Sequence, residues 1–297
     1  MDRDWRITGD LNQFLTHAGD FLRSRPALHT VTLTVTDSLR RRGLHIHGKG
    51  DPVFGVLERD GAVRAAFFRT PPGRLMLTPL TAEEATALAA QLADLGDELP
   101  GVMGERDTAS AFAEAWARRT GSVLELHARQ RLYRLGELTI PEPVPPGRPR
   151  VATTKDREQL MHWHAEFAEA VGEGGTRQDS GEWADARIAY GGVTFWETPD
   201  GTPVSMAGVT AKVAGQIRVA PVYTPADLRD RGYAGAVTAE VSRVARAAGA
   251  EEVLLFTDLA NPTSNALYQR IGYRPVEDFA GYDFRSDPGP GPGPGPR

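Results

Sequence analysis

The second half of the chain alternates between stretches with helical and with strand-like spacing of its hydrophobic residues. Residues 156–170 carry apolar side chains at helical spacing, and residues 180–190 have the pattern of a shorter helix. Apolar runs bounded by turn residues then predict strands, interrupted by two more helices. The predicted strands are 193–197, 204–213, 216–224, 253–257 and a closing pair within 273–284, and the helices are 233–248 and 262–270. This order predicts an α/β domain with a mixed, mostly antiparallel sheet flanked by helices.

The first half repeats this order more loosely. Strands predicted at 53–58 and 63–69 enclose a turn, and residues 75–80 lead into an alanine-rich helix at 82–95. A helix at 108–119 then precedes strands around 123–135, just as the helix at 262–270 precedes the last strands. The repetition predicts a second copy of the same module. The alternative is an unrelated α+β domain whose strands fall in the same order.

Two proline-rich stretches divide the chain. Residues 141–149 contain too many prolines for a helix or a central strand, which predicts an extended linker between domains at 1–140 and 150–286. From Asp287 onward proline and glycine alternate with no apolar side chain to bury. We therefore expect a disordered tail over 287–297.

Composition narrows the kind of protein further. The 297 residues suffice for two domains, and a net charge of −5 provides no basic field to attract nucleic acid. Cysteine is absent, which excludes disulfides and a Cys nucleophile and fits a reducing compartment. The sequence has neither the apolar stretch of a signal peptide nor a run of ~18 apolar residues. We expect a cytoplasmic protein with no membrane partner, either a monomer or a homodimer.

A turn of small and basic residues precedes the helix at 233–248. Free N–H groups at a helix start bind anions, and Gly232 and Ala234 would let a ligand approach the backbone closely. Arg229 and Arg231 can add charged donors. This turn predicts a phosphate site. At the equivalent position of the first half, residues 80–84 contain no glycine and include two carboxylates.

Residues 150–284 resemble the GCN5-related N-acetyltransferase (GNAT) family. The signature of that family is the motif [Arg/Gln]-x-x-Gly-x-[Gly/Ala], which lies between a strand and a helix. In this sequence Arg229, Gly232 and Ala234 match the motif. The family also shows Asn-x-x-Ala-x-x-Leu-Tyr ahead of a Gly-aromatic pair. Asn261, Leu267, Tyr268 and Gly272-Tyr273 match this second pattern, whereas Ser264 stands in place of the usual alanine.

The resemblance implies tandem GNAT-like domains with acetyl-CoA bound by the second one. Its pantetheine arm would pair with Val222, Tyr223 and Thr224, and Asn261 would contact that arm. The pyrophosphate would bind the N–H groups of a run formed by Asp230, Arg231, Gly232, Tyr233, Ala234 and Gly235, with Arg229 beside it. Residues 1–140 would be a degenerate, non-catalytic copy, because Trp116 falls where Tyr268 lies and an indole cannot protonate a thiolate.

Acetyl transfer needs an acid for the leaving thiolate and a base for the amine. The resemblance gives the first role to Tyr268, since a phenol with a pKa near ~10 stays protonated at neutral pH. Two structural alternatives stay open: Tyr268 could be a core residue, and Asn261 could cap the helix at 262–270. Some family members carry a glutamate base in the strand at 216–223, which has no carboxylate here. Glu197, Glu169 and Glu173 are candidates, each of which could be a surface acid, and a water chain is a further alternative.

Histidines and acids near the predicted acceptor side have two interpretations each. We interpret His45 and His47 as part of a solvated edge strand rather than a metal site. His164 could reach the acceptor pocket, which in the family is built by the first two helices and the last strand pair, or it could be a core histidine. An acidic group suits a cationic acceptor or forms a solvated helix face, and it consists of Glu166, Glu169, Glu173, Asp179, Glu182 and Asp185.

Three functions are consistent with these residues. The first is an acetyl-CoA-dependent N-acetyltransferase acting on a primary amine of a small molecule or a peptide N-terminus. The second is a CoA-binding sensor or assembly protein that has kept the fold and lost turnover. The third is an N-acyltransferase that uses a longer acyl-CoA.

Overall fold

The computed structural model describes residues 5–172 and 180–286, and over these residues both halves follow one order of elements, β-α-α-β-β-β-α-β-α-β. The first half consists of β1 (Trp5–Thr8), α1 (Leu11–Ser24), α2 (Thr30–Arg42), β2 (Val53–Arg59), β3 (Ala62–Arg69), β4 (Leu75–Leu77), α3 (Ala82–Asp94), β5 (Gly101–Glu105), α4 (Arg106–Thr120) and β6 (Val123–Leu135). The second consists of β7 (Arg148–Val151), α5 (Arg157–Ala170), α6 (Ser180–Ile188), β8 (Val193–Glu197), β9 (Pro203–Val209), β10 (Gln216–Tyr223), α7 (Tyr233–Ala247), β11 (Glu252–Asp258), α8 (Pro262–Ile271) and β12 (Tyr273–Arg285).

The described residues form two compact units that do not coincide with the two halves of the sequence. The first unit holds residues 5–21, 48–129 and 278–286, and the second holds 22–47, 130–172 and 180–277. The predicted boundary at 141–149 is therefore not where the chain passes from one unit to the other. The long strands β6 and β12 each begin in one unit and end in the other. A pattern of prolines indicates where the chain is irregular, but it does not indicate which strands pair.

In the first unit the strands are hydrogen-bonded in the order β1-β2-β3-β4-β5-β12. All neighbours are antiparallel except β4 and β5, which run parallel. Buried residues of α3, α4 and the sheet form one apolar core. The last strand of this unit is the C-terminal end of β12, where Phe279–Asp283 pairs with β5.

In the second unit the order is β6-β11-β10-β9-β8-β7, and only β10 and β11 are parallel. One apolar cluster packs α7 and α8 on one face of this sheet, and another packs α5 and α6 on the opposite face. The last strand here is the end of β6, where residues 130–134 pair with β11. The parallel pair β10–β11 is therefore covered by α7 and α8 on one face of the sheet and by α5 and α6 on the other.

Most predicted elements are confirmed, and the differences have physical causes. The predicted linker at 141–149 ends in β7, because Pro149 can lie in an edge strand that pairs on one side only. The predicted closing strand pair at 273–284 is one continuous strand, and the predicted strand at 204–213 ends at Val209. His45 and His47 lie in a turn after α2, not in an edge strand. Among the described residues no helix has the length and apolar character to cross a membrane.

Helix α2 was not predicted because its threonines and valines are typical of a strand. The structure accommodates them by turning threonine hydroxyls back onto the helix. Thr34 Oγ1 donates to the carbonyl of Thr30 at 2.8 Å, and Thr36 Oγ1 donates to that of Thr32 at 2.7 Å. Burial of such satisfied hydroxyls allows a β-branched sequence to form a helix.

The start of α3 is closed by its own side chains. Thr81 Oγ1 accepts the N–H of Glu84 at 3.2 Å, and Glu84 Oε2 accepts the N–H of Thr81 at 2.8 Å, which together form a capping box. The Glu84 side chain is only 3% exposed and also lies 3.4 Å from Arg64. Glu84, one of the two carboxylates at the position where the second half has its phosphate turn, therefore accepts a backbone N–H at the start of α3.

We predict that Glu84→Ala destabilises the first unit, because it removes a cap acceptor and the carboxylate partner of Arg64. The expected loss is about 1–2 kcal/mol in the free energy of unfolding, measured by urea denaturation. The matched control is Glu83→Ala, since Glu83 is exposed on the same turn and takes no part in the capping box. Equal unfolding midpoints for the two variants would contradict the capping role.

Candidate functional site

The parallel pair β10–β11 separates before its strands end. The two strands are paired from Gln216, opposite Glu252, to Val219, opposite Leu255, whereas β10 continues to Tyr223 and β11 to Asp258. On its other side β10 stays paired with β9, with a shift in register between Val219 and Val222. The last residues of β10 thus lie along a gap, where their backbone groups can pair with an extended ligand.

A turn and a helix start follow directly on this gap. Gly232, the N-cap of α7, has φ +82°, a left-handed conformation that other residues adopt at a cost. No side chain caps α7 in the described chain. A Cβ at Gly232 would lie 3.6 Å from Pro145 Cδ, an ordinary contact, so the requirement for glycine here is conformational. The first N–H groups of α7 consequently have no side-chain acceptor at the N-cap, in contrast to those of α3.

Both arginines of the turn are tied to nearby backbone. Arg229 Nε donates to the carbonyl of Thr224 at 3.1 Å, and an Nη of Arg231 donates to the carbonyl of Asp227 at 2.9 Å. Asp230 between them has φ +61°, so the backbone reverses sharply before the helix. These bonds leave further guanidinium donors of both residues for an anion beside the start of α7.

Tyr268 lies on α8 with only 8% of its surface exposed. Its ring packs edge-on against Tyr273 with the centroids 6.1 Å apart. Burial raises the pKa of Tyr268 to about 12, so its phenol stays protonated at neutral pH. Helix α8 itself is held by Tyr133, whose hydroxyl donates to Asn265 Oδ1 at 2.9 Å and accepts from Gln269 Nε2 at 3.0 Å.

Asn261 is the N-cap of α8. Its Oδ1 accepts the N–H of Ser264 at 2.9 Å, and Pro262 occupies the first position of the helix. The side-chain oxygen of Asn261 therefore caps the helix, which was one of the two alternatives left open by the sequence. Contact of Asn261 with a cofactor stays a prediction.

The comparisons with known proteins agree with this geometry. The model of the family described as FR47-like protein matches residues 203–279, which run from β9 into β12. A GCN5-related N-acetyltransferase from Sphaerobacter thermophilus superimposes with a TM-score of 0.61 at 17% identity, covering 95% of each chain. The protein has a GNAT fold. The resemblance inferred from the signature residues is confirmed at this level.

Further GNAT structures support the same assignment of fold. An acetyltransferase from the GNAT family of Colwellia psychrerythraea has a TM-score of 0.59 at 11% identity, covering 95% of this chain and 99% of that one. A GCN5-related N-acetyltransferase from Kribbella flavida has a TM-score of 0.52 at 17% identity, covering 75% and 87%. No curated protein sequence matches the chain. The structures from Sphaerobacter thermophilus and Colwellia psychrerythraea each cover 95% of the chain, so the fold includes the first half as well as the second.

In this GNAT fold the residues predicted along β10 lie on both faces of the sheet. Val222 packs against the cluster under α7. Tyr223 faces α5, where its hydroxyl donates to Glu166 Oε2 at 3.0 Å, and burial together with this bond raises the pKa of Tyr223. The hydroxyls of Thr224 and Ser205 lie 2.8 Å apart. The predicted backbone positions are thus brought to the gap, with their side chains already engaged.

Glu197, a candidate for the base, is already paired in the structure. Its side chain is buried and forms an ion pair with Arg150, and Arg148 Nε lies 3.9 Å from its Oε2. Arg150 also binds Asp156 at 2.8 Å and thereby lowers the pKa of Asp156 to about 2. The Glu197 carboxylate is thus engaged by Arg150, and its role as a base stays a prediction. The sequence did not indicate this pairing because the register of β7 on β8 brings Arg150 and Glu197 together.

Two of the acids in the predicted acidic patch are engaged with neighbours. Asp185 accepts two hydrogen bonds from Arg157, at 2.7 and 2.9 Å, and Glu166 lies 3.6 Å from His162 in addition to its bond with Tyr223. Glu169 is exposed. Glu173 and Asp179 lie outside the described residues. Within the predicted acidic patch, Asp185 and Glu166 are therefore paired, and Glu169 is exposed.

His164 has the environment of a core histidine. Its ring stacks on Trp183 with centroids 4.2 Å apart, and Nδ1 lies 3.0 Å from Ser180 Oγ. Burial and the charge of Arg187 lower the pKa of His164 to about 4, so the imidazole is neutral at pH 7. It lies on the α5–α6 face of the sheet, the face to which the resemblance assigned the acceptor.

We predict that Glu197→Gln lowers the free energy of unfolding, because it removes the buried carboxylate that pairs with Arg150. A loss of about 1–3 kcal/mol in urea denaturation is expected. Glu182→Gln is the control, since Glu182 is an exposed glutamate of the same unit. If Glu197→Gln unfolded at the same urea concentration as the wild type, the ion pair would have no structural importance.

Proposed function

We propose that this protein is an acetyl-CoA-dependent N-acetyltransferase that acetylates a primary amine of a small molecule or a peptide N-terminus. The observation that carries the proposal is the gap between β10 and β11, which leads directly to the uncapped start of α7. An extended arm ending in a pyrophosphate needs such a combination: a strand edge for its amides and a helix start for its charge. The GNAT fold supports this interpretation.

The residues present fit the cofactor. Val222, Tyr223 and Thr224 would hold the pantetheine arm through their backbone, and the N–H groups from Asp230 to Gly235 would hold the pyrophosphate, with Arg229 and Arg231 adding charge. Bound acetyl-CoA supplies an acetyl group activated as a thioester. A backbone N–H at the end of β10 would polarise its carbonyl.

Tyr268 would hold a proton ready for the departing thiolate. Its raised pKa keeps this proton on the phenol throughout the neutral range, so an acid is available in every turnover. For the amine proton we propose a water relay, because β10 carries no carboxylate and Glu197 is ion-paired. The chain's own contribution is thus mainly to bind, orient and donate one proton.

We further propose that residues 1–140 are a non-catalytic copy of the module. The capping box at α3 supports this, because Thr81 and Glu84 occupy the N–H groups that a pyrophosphate would need. The Glu84 carboxylate would also repel an anion at this helix start. Residues 150–286 would then be the catalytic copy.

We predict that Gly232→Val weakens binding of CoA at least about 10-fold, because a β-branched residue is strained at positive φ and would displace the N–H groups of the turn. Isothermal titration calorimetry with CoA measures the dissociation constant. Gly201→Val is the matched control, since Gly201 has φ +90° in the exposed turn between β8 and β9. Unchanged affinity in Gly232→Val, with the protein folded, would remove the turn from the cofactor site.

We predict that Tyr268→Phe lowers kcat by about 10²-fold, the lower end of the range for general acids, because a thiolate is a comparatively good leaving group. Release of CoA thiol during acetyl transfer reports the rate, and affinity for CoA should stay the same. Tyr282→Phe serves as control, since its hydroxyl bonds Ser110 within the first unit. Equal rates for Tyr268→Phe and wild type would show that Tyr268 is only a core residue.

The overall proposal is tested by offering acetyl-CoA with amines, aminoglycosides and short peptides and measuring thiol release. Release above background with at least one acceptor is the expected result. Binding of CoA without release for any acceptor would overturn the proposal in favour of a non-catalytic CoA-binding protein. Faster release from a longer acyl-CoA than from acetyl-CoA would overturn the choice of donor.

A further inference from the structure

Two arginines on the α5–α6 face of the second unit lie close together without a carboxylate partner. Arg218 is on β10 between Ile217 and Val219, which face the α7 core, so its side chain projects to the opposite face. Arg187, at the end of α6, reaches the same place: its guanidinium donates to the carbonyl of Val209, and the next residue, Thr210, is hydrogen-bonded to the backbone of Arg218.

The contacts of these two guanidinium groups are all with neutral groups. Arg218 donates to Thr30 Oγ1 at 3.2 Å, and Arg187 donates to the Tyr190 hydroxyl at 2.6 Å. Arg187 also lies over the ring of Trp183 at 5.8 Å. Neither has an ion pair with any described carboxylate, although α5 and α6 are rich in acids. Burial and the charge of Arg187 lower the pKa of Arg218 to about 10, which still leaves both residues charged at neutral pH.

A third donor belongs to the same group. Gln216 is fully buried and projects on the same face as Arg218, two residues along the strand. Its Oε1 accepts from Thr30 Oγ1 at 2.9 Å, the hydroxyl that also accepts from Arg218. Its Nε2 is buried with no hydrogen-bond partner in the described chain. Two cations and an unpartnered amide donor therefore converge on one place, which is costly unless an anion binds there.

We propose that Arg187, Arg218 and Gln216 bind an anionic group, a carboxylate or a phosphate, of the acceptor substrate. This rests on the proposed acetyl transfer, since it identifies the acceptor's second binding point. Arg218 lies four residues before Val222 on β10, a span of about 13 Å along a strand, part of which its long side chain can bridge. The acceptor is then an amine that carries its anion several bonds away, such as an ω-amino acid or a short peptide with a free C-terminus.

This proposal differs from the cationic acceptor that was one of the two interpretations of the acids near α5 and α6. Two of the acids that suggested one, Asp185 and Glu166, are engaged by Arg157, His162 and Tyr223, whereas the arginines nearer to β10 have no carboxylate partner among the described residues. A half-buried charge with no partner lowers stability, and its presence is typical of a binding site. We therefore expect Arg218→Met to unfold at the same or a higher urea concentration than the wild type. If Arg218 had a purely structural role, the variant would unfold at a lower urea concentration.

The test compares matched amines that differ only in the anionic group. 6-Aminohexanoate is set against hexylamine, and 6-aminohexyl phosphate against 6-aminohexanol, with thiol release from acetyl-CoA as the readout. The anionic member of at least one pair should have the higher kcat/KM, and Arg218→Gln and Arg187→Gln should lower that value by about 10- to 100-fold through KM. The carboxylate and phosphate arms show which anion is bound.

Arg243→Gln is the control, because Arg243 is an exposed arginine of the same unit paired with Glu240. It removes the same charge and should leave kcat/KM unchanged. Arg218→Lys keeps the charge and should recover part of the loss. Equal kcat/KM for the members of both pairs, or no effect of Arg218→Gln on the anionic amines, would overturn the anion site while leaving acetyl transfer intact.

A direct binding measurement separates this proposal from the proposed function. Inorganic phosphate and propionate are titrated separately into the full chain, and NMR signals of the arginine Nε groups are followed. Shifts of the Arg187 and Arg218 signals that Arg243 does not share would support the site even if no amine were acetylated. Absence of such shifts with both anions, together with equal rates for the amine pairs, would overturn it.

Discussion

The parallel pairing of β10 with β11 stops before either strand ends, and the rest of the second unit is arranged around that separation. While the two strands are paired, the sheet is continuous and its faces are covered by α7 and α8 on one side and α5 and α6 on the other. Once they separate, backbone groups of β10 face a gap, and the chain must turn sharply to enter α7. The left-handed Gly232 makes that turn possible and leaves the helix start uncovered.

The starts of α3 and α7 show how few residues distinguish a closed helix start from an open one. Both α3 and α7 follow the fourth strand of their sequence half, and both precede a strand parallel to it. At α3 a threonine and a glutamate satisfy the first N–H groups, whereas at α7 a glycine provides no side chain at all. The same place in the order of elements thus has opposite electrostatic consequences, because the two N-caps differ in side chain and in backbone conformation.

Much of the second half could be predicted from its sequence, since apolar spacing and turn residues are local signals. The turn around Gly232 was recognisable for the same reason. Contacts that depend on strand register were not: the pairing of Glu197 with Arg150 follows from β7 lying on β8, and the meeting of Arg187 with Arg218 follows from the end of β9. Helix α2 was missed because its threonines favour a strand until burial and hydroxyl-to-carbonyl bonds are taken into account.

The strands β6 and β12 make each half of the sequence depend on the other. Each follows the last helix of one sequence half, yet ends in the sheet of the unit built mainly from the other half. Tyr133, near the end of β6, is encoded by the half with the closed helix start, and it holds α8, which bears Tyr268. A gene that lost its first half would lose this anchor as well. The closed helix start therefore does not make the first half of the sequence dispensable, because the second unit depends on the strand that this half contributes.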